Sequence, residues 1–163
     1  DNLNVTFKDN LYLMDFPSRP PKLLEDFELS QLEEALGKKP IKVLAYRDLI
    51  AIYDNEDDIR SINPDMEKLK QLEFPSIVAT SIGRVADFVS RNFAPKLGIP
   101  EDPVTGSTHC ELIPYWSEVL DKKQMIAHQL SDRGGIIYCG NNHDRVSIGG
   151  EAVTFLRGEI EVL

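Results

Sequence analysis

Residues 107 to 120 read as a helix whose apolar side chains do not keep to one stripe: Cys110, Leu112, Ile113, Tyr115, Trp116, Val119 and Leu120 spread around most of its circumference. A helix with that pattern has no polar face to give to solvent, so it belongs inside the protein. In a chain of 163 residues the enclosing layer has to be sheet, because the remaining pattern is dominated by short strand-like runs. The expected fold class is therefore α+β, with a mixed, mostly antiparallel sheet rolled around a central hydrophobic helix.

The runs on either side supply that sheet. Asn4 to Phe7 and Leu11 to Phe16 alternate around Lys8-Asp9-Asn10 as a hairpin, and Pro17, Pro20 and Pro21 stop it. Ser30-Gln31-Leu32-Glu33 has the form of a capping box for a helix over 30 to 36, with Gly37 at its left-handed end. Ile41 to Tyr46 and Leu49 to Tyr53 are strands around the turn Arg47-Asp48; Asn55 and Asn63-Pro64 begin two short helices, the second over 64 to 72. Ser76 to Ile82 and Ala86 to Phe93 return to strand, and a loop punctuated by proline runs from Ala94 to Pro103. After the central helix, Met125 to Ser131, Ile136 to Cys139, Arg145 to Ile148, Ala152 to Arg157 and Ile160 to Leu163 form a meander. Gly134-Gly135, Asn141-Asn142, Gly149-Gly150 and Gly158 divide its runs.

A net charge of −9, from 18 Lys+Arg against 27 Asp+Glu with no basic cluster, points away from nucleic acid. No apolar run approaches the roughly 20 residues of a membrane span, and the expected compartment is cytoplasmic. Cys110 and Cys139 lack the spacing of a zinc site or a disulfide framework and are expected to be reduced and buried. Beginning at Asp1 rather than Met, the chain reads as a piece cut from something longer.

The chemistry concentrates where the central helix begins, in the run Glu101-Asp102-Pro103-Val104-Thr105-Gly106-Ser107-Thr108-His109-Cys110. If the helix is buried, so is its first turn, and the N–H groups there need partners. A bound carboxylate is one partner. A Thr105, Ser107 or Thr108 hydroxyl acting as an ordinary N-cap is the other, and spacing alone favours the cap. Asp102 and Glu101 stand where burial tunes a carboxyl for proton transfer, although loop carboxylates before a helix are more often structural. His109 ranks below Asp102, since a histidine in a first helical turn is more often a core residue.

Several long blocks carry a resemblance. Asp87-Phe88-Val89-Ser90-Arg91-Asn92-Phe93-Ala94-Pro95, Gly98-Ile99-Pro100-Glu101-Asp102-Pro103-Val104-Thr105-Gly106-Ser107, Pro114-Tyr115-Trp116 and Gln129-Leu130-Ser131-Asp132-Arg133-Gly134-Gly135 resemble, in order and spacing, the PhzF-like (phenazine biosynthesis-like) family. Met14-Asp15-Phe16-Pro17, Arg145-Val146, Gly150 and Ala152-Val153 extend the likeness over nearly the whole chain. The resemblance implies a diaminopimelate epimerase-like architecture: two similar domains, each a sheet rolled around a helix, with the site between them. It also implies cofactor-free chemistry, in which a proton moves on a small carboxylic acid; the best-known member isomerises a dihydro-hydroxyanthranilate. The family's principal acid–base glutamate lies in the first domain, and its second domain supplies an aspartate and a glycine–serine helix mouth.

Carried over residue by residue, the second-domain motif falls on Asp102 as the catalytic candidate and on Gly106 and Ser107 as substrate-binding candidates. The first-domain glutamate has no counterpart, so residues 1–163 are expected to be a single PhzF-like C-terminal domain whose N-terminal half is absent from the chain and which is inactive alone. Arg91 and Arg133 are set aside: Arg91 has Asp87 or another carboxylate near enough to brace a loop, and Arg133-Gly134-Gly135 suits a turn of close approach. The expected function is thus half of an isomerase or epimerase site, needing no cofactor or metal. The alternative is a non-catalytic binding or interaction domain that keeps only the scaffold. The family likeness makes a homodimer reasonable.

Overall fold

The computed structural model describes residues 3–161. It opens with the hairpin β1 (Asn4–Lys8) and β2 (Leu11–Pro17), whose turn residues Asp9 and Asn10 both take left-handed φ values, 52° and 63°. That mirror-image turn matches the right-handed twist of the strands it joins, and Asp and Asn tolerate it better than most residues. β3 (Lys22–Leu23), α1 (Leu29–Leu36), β4 (Lys42–Ala45), β5 (Leu49–Ile52), α2 (Glu56–Ser61), α3 (Met66–Gln71), β6 (Ile77–Ile82) and β7 (Phe88–Ala94) follow. A 3-10 turn at Pro95–Leu97 leads to β8 (Ile99–Asp102), the central helix α4 (Gly106–Leu120), and β9 (Gln124–Gln129), β10 (Gly135–Asn142) and β11 (Arg145–Gly150).

All the strands belong to one sheet in the order β1-β2-β11-β10-β9-β7-β6-β5-β4-β3, with β8 set against β7. Its pairings are antiparallel except β5 with β6 and β7 with β9. Period-two alternation then sorts side chains onto two faces. From β5, Ile50 and Ile52 face α4 while Leu49 and Ala51 face the layer of α1, α2 and α3; Val78 of β6 goes with the first set, Ile77 and Ala79 with the second. Cys110, Leu112, Ile113 and Trp116 of α4 meet residues from β4, β5, β6, β7, β9, β10 and β11, so the sheet does roll around the helix.

Two details seat the helix. Trp116 stacks on Phe88 with centroids 5.7 Å apart and planes 11° from parallel, and its indole N–H donates to Thr80 Oγ1 at 3.0 Å. Pro114, which has no N–H, stands inside the helix, and the Cys110 carbonyl it would have bonded accepts instead from Arg19 N at 2.9 Å. Cys110 and Cys139 are both free thiols and buried.

The structure departs from the sequence expectations at several ends. α1 begins at Leu29, with Glu28 as an N-cap whose side chain caps no backbone N–H, so the capping box is not formed and Ser30 lies within the helix; Leu29 packs on the core and draws the helix back by one residue. Gly37 does close α1, at φ 75°. Asn55 caps α2 as expected, but α3 is capped by Asp65, whose carboxylate accepts from Glu67 N and Lys68 N. The loop from Ala94 to Pro103 contains β8, because β7 still has an open edge there to pair with. Asn141 and Asn142 belong to β10, and the turn is at His143, φ 66°, and Asp144.

Ala152 to Arg157 form no strand, and neither do Glu161 and Ile160. Of the expected strand Ile160 to Leu163, residues 162 and 163 lie outside the described residues. A strand needs a neighbour to take its N–H and C=O groups, and β11 already has β2 on one side and β10 on the other. The chain leaving Gly150 meets no open place in the sheet beside it.

Trp116→Ala is expected to lower unfolding free energy by about 3–5 kcal/mol. Val119→Ala, on the same helix at a position 52% exposed, should stay within about 0.5 kcal/mol of the parent chain. Urea titrations of both variants followed by circular dichroism measure the difference.

Candidate functional site

The N-terminus of α4 is half-buried, with Gly106 and Ser107 at its edge and Thr105 and Thr108 buried, and none of its three candidate hydroxyls caps it. The N-cap residue, Thr105, makes no side-chain capping bond; its hydroxyl donates to Asp102 Oδ2 at 2.8 Å. Ser107 Oγ accepts from Arg47 Nη2 at 2.9 Å, and Thr108 Oγ1 donates to Asp48 Oδ2 at 2.7 Å. The N-cap alternative of the sequence analysis is therefore not the one realised. All three hydroxyls are drawn to carboxylates or a guanidinium that arrive from elsewhere in the chain or from the loop before the helix.

A cavity of about 260 Å³ opens beside this mouth, lined among others by Arg47, Asp48, Asn92, Asp102, Thr105 and Ser107. Two of the three sequence candidates, Asp102 and Ser107, thus share one cavity. Gly106 borders a different, more apolar hollow of about 520 Å³ formed with Met14, Val104, Arg133, Tyr138 and Ile148. Gly106 makes no tight turn: its φ is not left-handed, it is the first residue of α4, and a Cβ added there would meet nothing within 4 Å. Gly134, φ 67°, and Gly135 do form the turn of close approach, since a Cβ on Gly135 would run into the Val104 side chain.

Sequence reasoning missed the groups that hold these residues. Gln129, at the end of β9 and 1% exposed, accepts from Thr105 N at 2.8 Å and donates to Asp102 O at 2.7 Å and to Thr105 Oγ1 at 3.1 Å. One amide side chain thereby pins the whole 102–105 turn. Arg47 and Asp48, read as a plain turn between strands, form a two-point ion pair, Nε to Oδ1 and Nη2 to Oδ2, both 2.9 Å. A buried Asp directly after an Arg in a turn was the available signal, but burial is not visible in the sequence. Glu101 takes Arg91 in the same bidentate way, at 2.7 and 2.8 Å, so both are braces for β7 and β8.

Residues 4–158 match the model of the family described as phenazine biosynthesis-like protein. The chain belongs to the phenazine biosynthesis-like family. It is 42% identical over 161 residues to an uncharacterised isomerase of Pseudomonas aeruginosa, covering 98% of this chain and 61% of that protein. Against the mouse phenazine biosynthesis-like domain-containing protein 2 it is 37% identical, over 91% of this chain and 58% of that one. A crystal structure of a PhzF-family protein from Enterococcus faecalis superposes with a TM-score of 0.91 at 41% identity, covering 98% of this chain and 61% of the other. The chain therefore spans about three-fifths of the length of these relatives.

Within this phenazine biosynthesis-like chain the acidic groups at the helix mouth are electrically uneven. Glu111, 0% exposed on α4, is pushed up to about 7 by burial and by the neighbouring Asp48 charge; its Oε2 accepts from Asp48 N at 3.3 Å. His109 is pushed down to about 4 by burial, only partly offset by the bond between its Nδ1 and Thr105 O at 2.7 Å. It is uncharged at neutral pH and 0% exposed, which makes it a core residue rather than a proton shuttle. Burial also raises the Cys110 and Cys139 thiols, so neither is a ready nucleophile.

Glu111 and His109 pull stability in opposite directions with pH. The native protein holds a proton on Glu111 between its ordinary 4.5 and about 7, where the unfolded chain has lost it, so that contribution fades as pH rises through about 7. Between about 4 and 6.5 the unfolded chain protonates His109 and the native one does not, so that contribution grows with pH. Glu111→Gln removes the first and leaves the second. The variant should gain on the parent chain as pH is raised from 4.5 to 7, measured as the urea midpoint at successive pH values.

Proposed function

We propose that this chain is the substrate-binding half of a cofactor-independent isomerase or epimerase that moves a proton on a small carboxylic acid. Support comes from one observation above the others: the hydroxyls of Thr105, Ser107 and Thr108 are all occupied elsewhere, which leaves the first-turn N–H groups of α4 without a side-chain cap next to Asp102. N–H groups at a buried helix mouth suit a carboxylate, and they suit the negative charge that develops when a proton leaves the adjacent carbon. Gly106 fits the same use as the first residue of α4, where a Cβ would meet nothing within 4 Å.

In this reading Asp102 orients the substrate and assists proton transfer, held by Thr105 and through it by Gln129. Ser107 and Gly106 bind the anion. The principal acid–base glutamate comes from a further half of the protein, in line with the relatives' greater length. The sheet carries a surface suited to such a half. Val5 pairs with Met14, Met14 with Ile148 and Ile148 with Cys139, so Val5, and Phe7 two residues on, share the face that packs on α4. Yet Val5 and Phe7 are 52% and 62% exposed, beyond the helix's reach. Val153, Phe155, Leu156 and Ile160 are exposed as well.

The setting of the proposal is the cytoplasm, as a homodimer of the full-length protein; among the described residues no helix is long and apolar enough to cross a membrane. Incubation of the full-length protein in deuterated water with a panel of small hydroxy, amino and unsaturated acids should bring deuterium onto carbon in at least one of them, read by mass spectrometry. No exchange with any acid of the panel favours the non-catalytic binding domain instead. Asp102→Asn should cut kcat/KM about 100-fold, and Ser107→Ala about tenfold. If both variants keep wild-type turnover, the site assignment is wrong even within the right family.

A further inference from the structure

The guanidinium of Arg47 reaches Ser107 across 60 residues of sequence and has a directional effect on it. An arginine offers only donors, so at the 2.9 Å contact between Nη2 and Oγ it is Ser107 that accepts. The one proton of the serine hydroxyl then points elsewhere. Asp102, Arg47 and Ser107 line the same cavity, so an acceptor placed there stands within reach of the Ser107 hydroxyl.

Arg47 is held firmly enough to impose this. Asp48, 0% exposed, grips it at Nε and Nη2, both 2.9 Å, in a two-point fork. Behind Asp48, Thr108 donates to Oδ2 at 2.7 Å and is itself held by Asn92 Nδ2 at 3.2 Å, while Ser76 donates to Asn92 Oδ1. The Asp48 backbone is tied to α4 through Glu111 Oε2. With its charge matched by Asp48, Arg47 brings the cavity direction more than net charge.

We infer that Arg47 is a positioning residue that commits Ser107 to donate its proton into the cavity, so that the mouth of α4 takes groups that only accept hydrogen bonds, carboxylate oxygens above all. This rests on the proposed reading of Ser107 as an anion ligand. An acid is favoured over its amide because both carboxylate oxygens accept, whereas a carboxamide meets the Ser107 proton only in the one orientation that turns its C=O, and not its N–H₂, toward it.

Two measurements on the full-length protein test it. Arg47→Lys keeps a positive charge opposite Asp48 but replaces the planar fork by one ammonium. With the acid identified by deuterium incorporation, it should raise KM about tenfold at nearly constant kcat. The double variant Arg47→Lys/Ser107→Ala should be no worse than Ser107→Ala alone, and unfolding midpoints should confirm that all three are folded. A wild-type KM for Arg47→Lys, or losses that multiply in the double variant, overturns the inference. Neutron diffraction from the ligand-free, deuterated protein decides it even if no acid turns over, an outcome that sinks the proposed function separately. A deuterium on Ser107 Oγ directed into the cavity is expected; one directed at a backbone carbonyl, or no Nη2 contact, overturns the inference.

Discussion

Burial of α4 within the rolled sheet is the constraint on which the rest of the structure depends. Leu112, Ile113 and Trp116, each almost fully buried, contribute roughly 1.5–3 kcal/mol apiece by leaving water, and they draw side chains from seven strands onto one helix. Once the helix is inside, every polar group on it needs a partner inside as well. Pro114 illustrates the demand along the shaft: the carbonyl it cannot serve is taken by Arg19, whose chain segment is thereby drawn against the helix. The first turn makes the same demand at the mouth, and there the surrounding strands respond with charged and amide side chains.

Those side chains form a polar island whose charges nearly cancel. Arg47 offsets Asp48, and Glu111, pushed up to about 7 beside them, has a neutral form available well into the physiological range. Two buried carboxylates with a single arginine would leave an uncompensated charge in a region of low polarity, and holding a proton on Glu111 relieves it. On the other side of the mouth, Gln129 achieves a comparable result without charge, closing the 102–105 turn with both ends of one amide. Arg47, Asp48, Thr105 and Gln129 thus frame the helix mouth through bonds to one another, which keeps them rigid around Asp102 and Ser107.

Much of this was legible in the sequence. The helix could be read because its apolar residues recur on a 3.6-residue period too broad for a surface stripe, and the strands because theirs alternate; both are properties of neighbouring residues. Asp102 and Ser107 were legible for the same reason, lying five residues apart in one loop and helix start, and they do share a cavity. Local reasoning failed where a long-range neighbour decides the outcome. Leu29 extends α1 because it reaches the core, and Ala94 to Pro103 contain a strand because β7 has an edge to offer. Residues 152–157 have the alternation of a strand and no partner beside β11, so pattern without a neighbour leaves them irregular.

The amino-acid sequence by itself determined the buried helix, the alternating strands that enclose it, the family, and the segment that carries the candidate site. Only the tertiary structure decided which hydroxyl meets which charge. Arg47 stands 60 residues from Ser107, and Gln129 stands 24 from Thr105. Nothing local marks either as a partner, because hydrogen bonds of 2.8 to 2.9 Å exist only after the sheet has rolled and brought two turns to one end of the helix. Periodicity is a property of the chain; a hydrogen-bond partner at that range is a property of the fold.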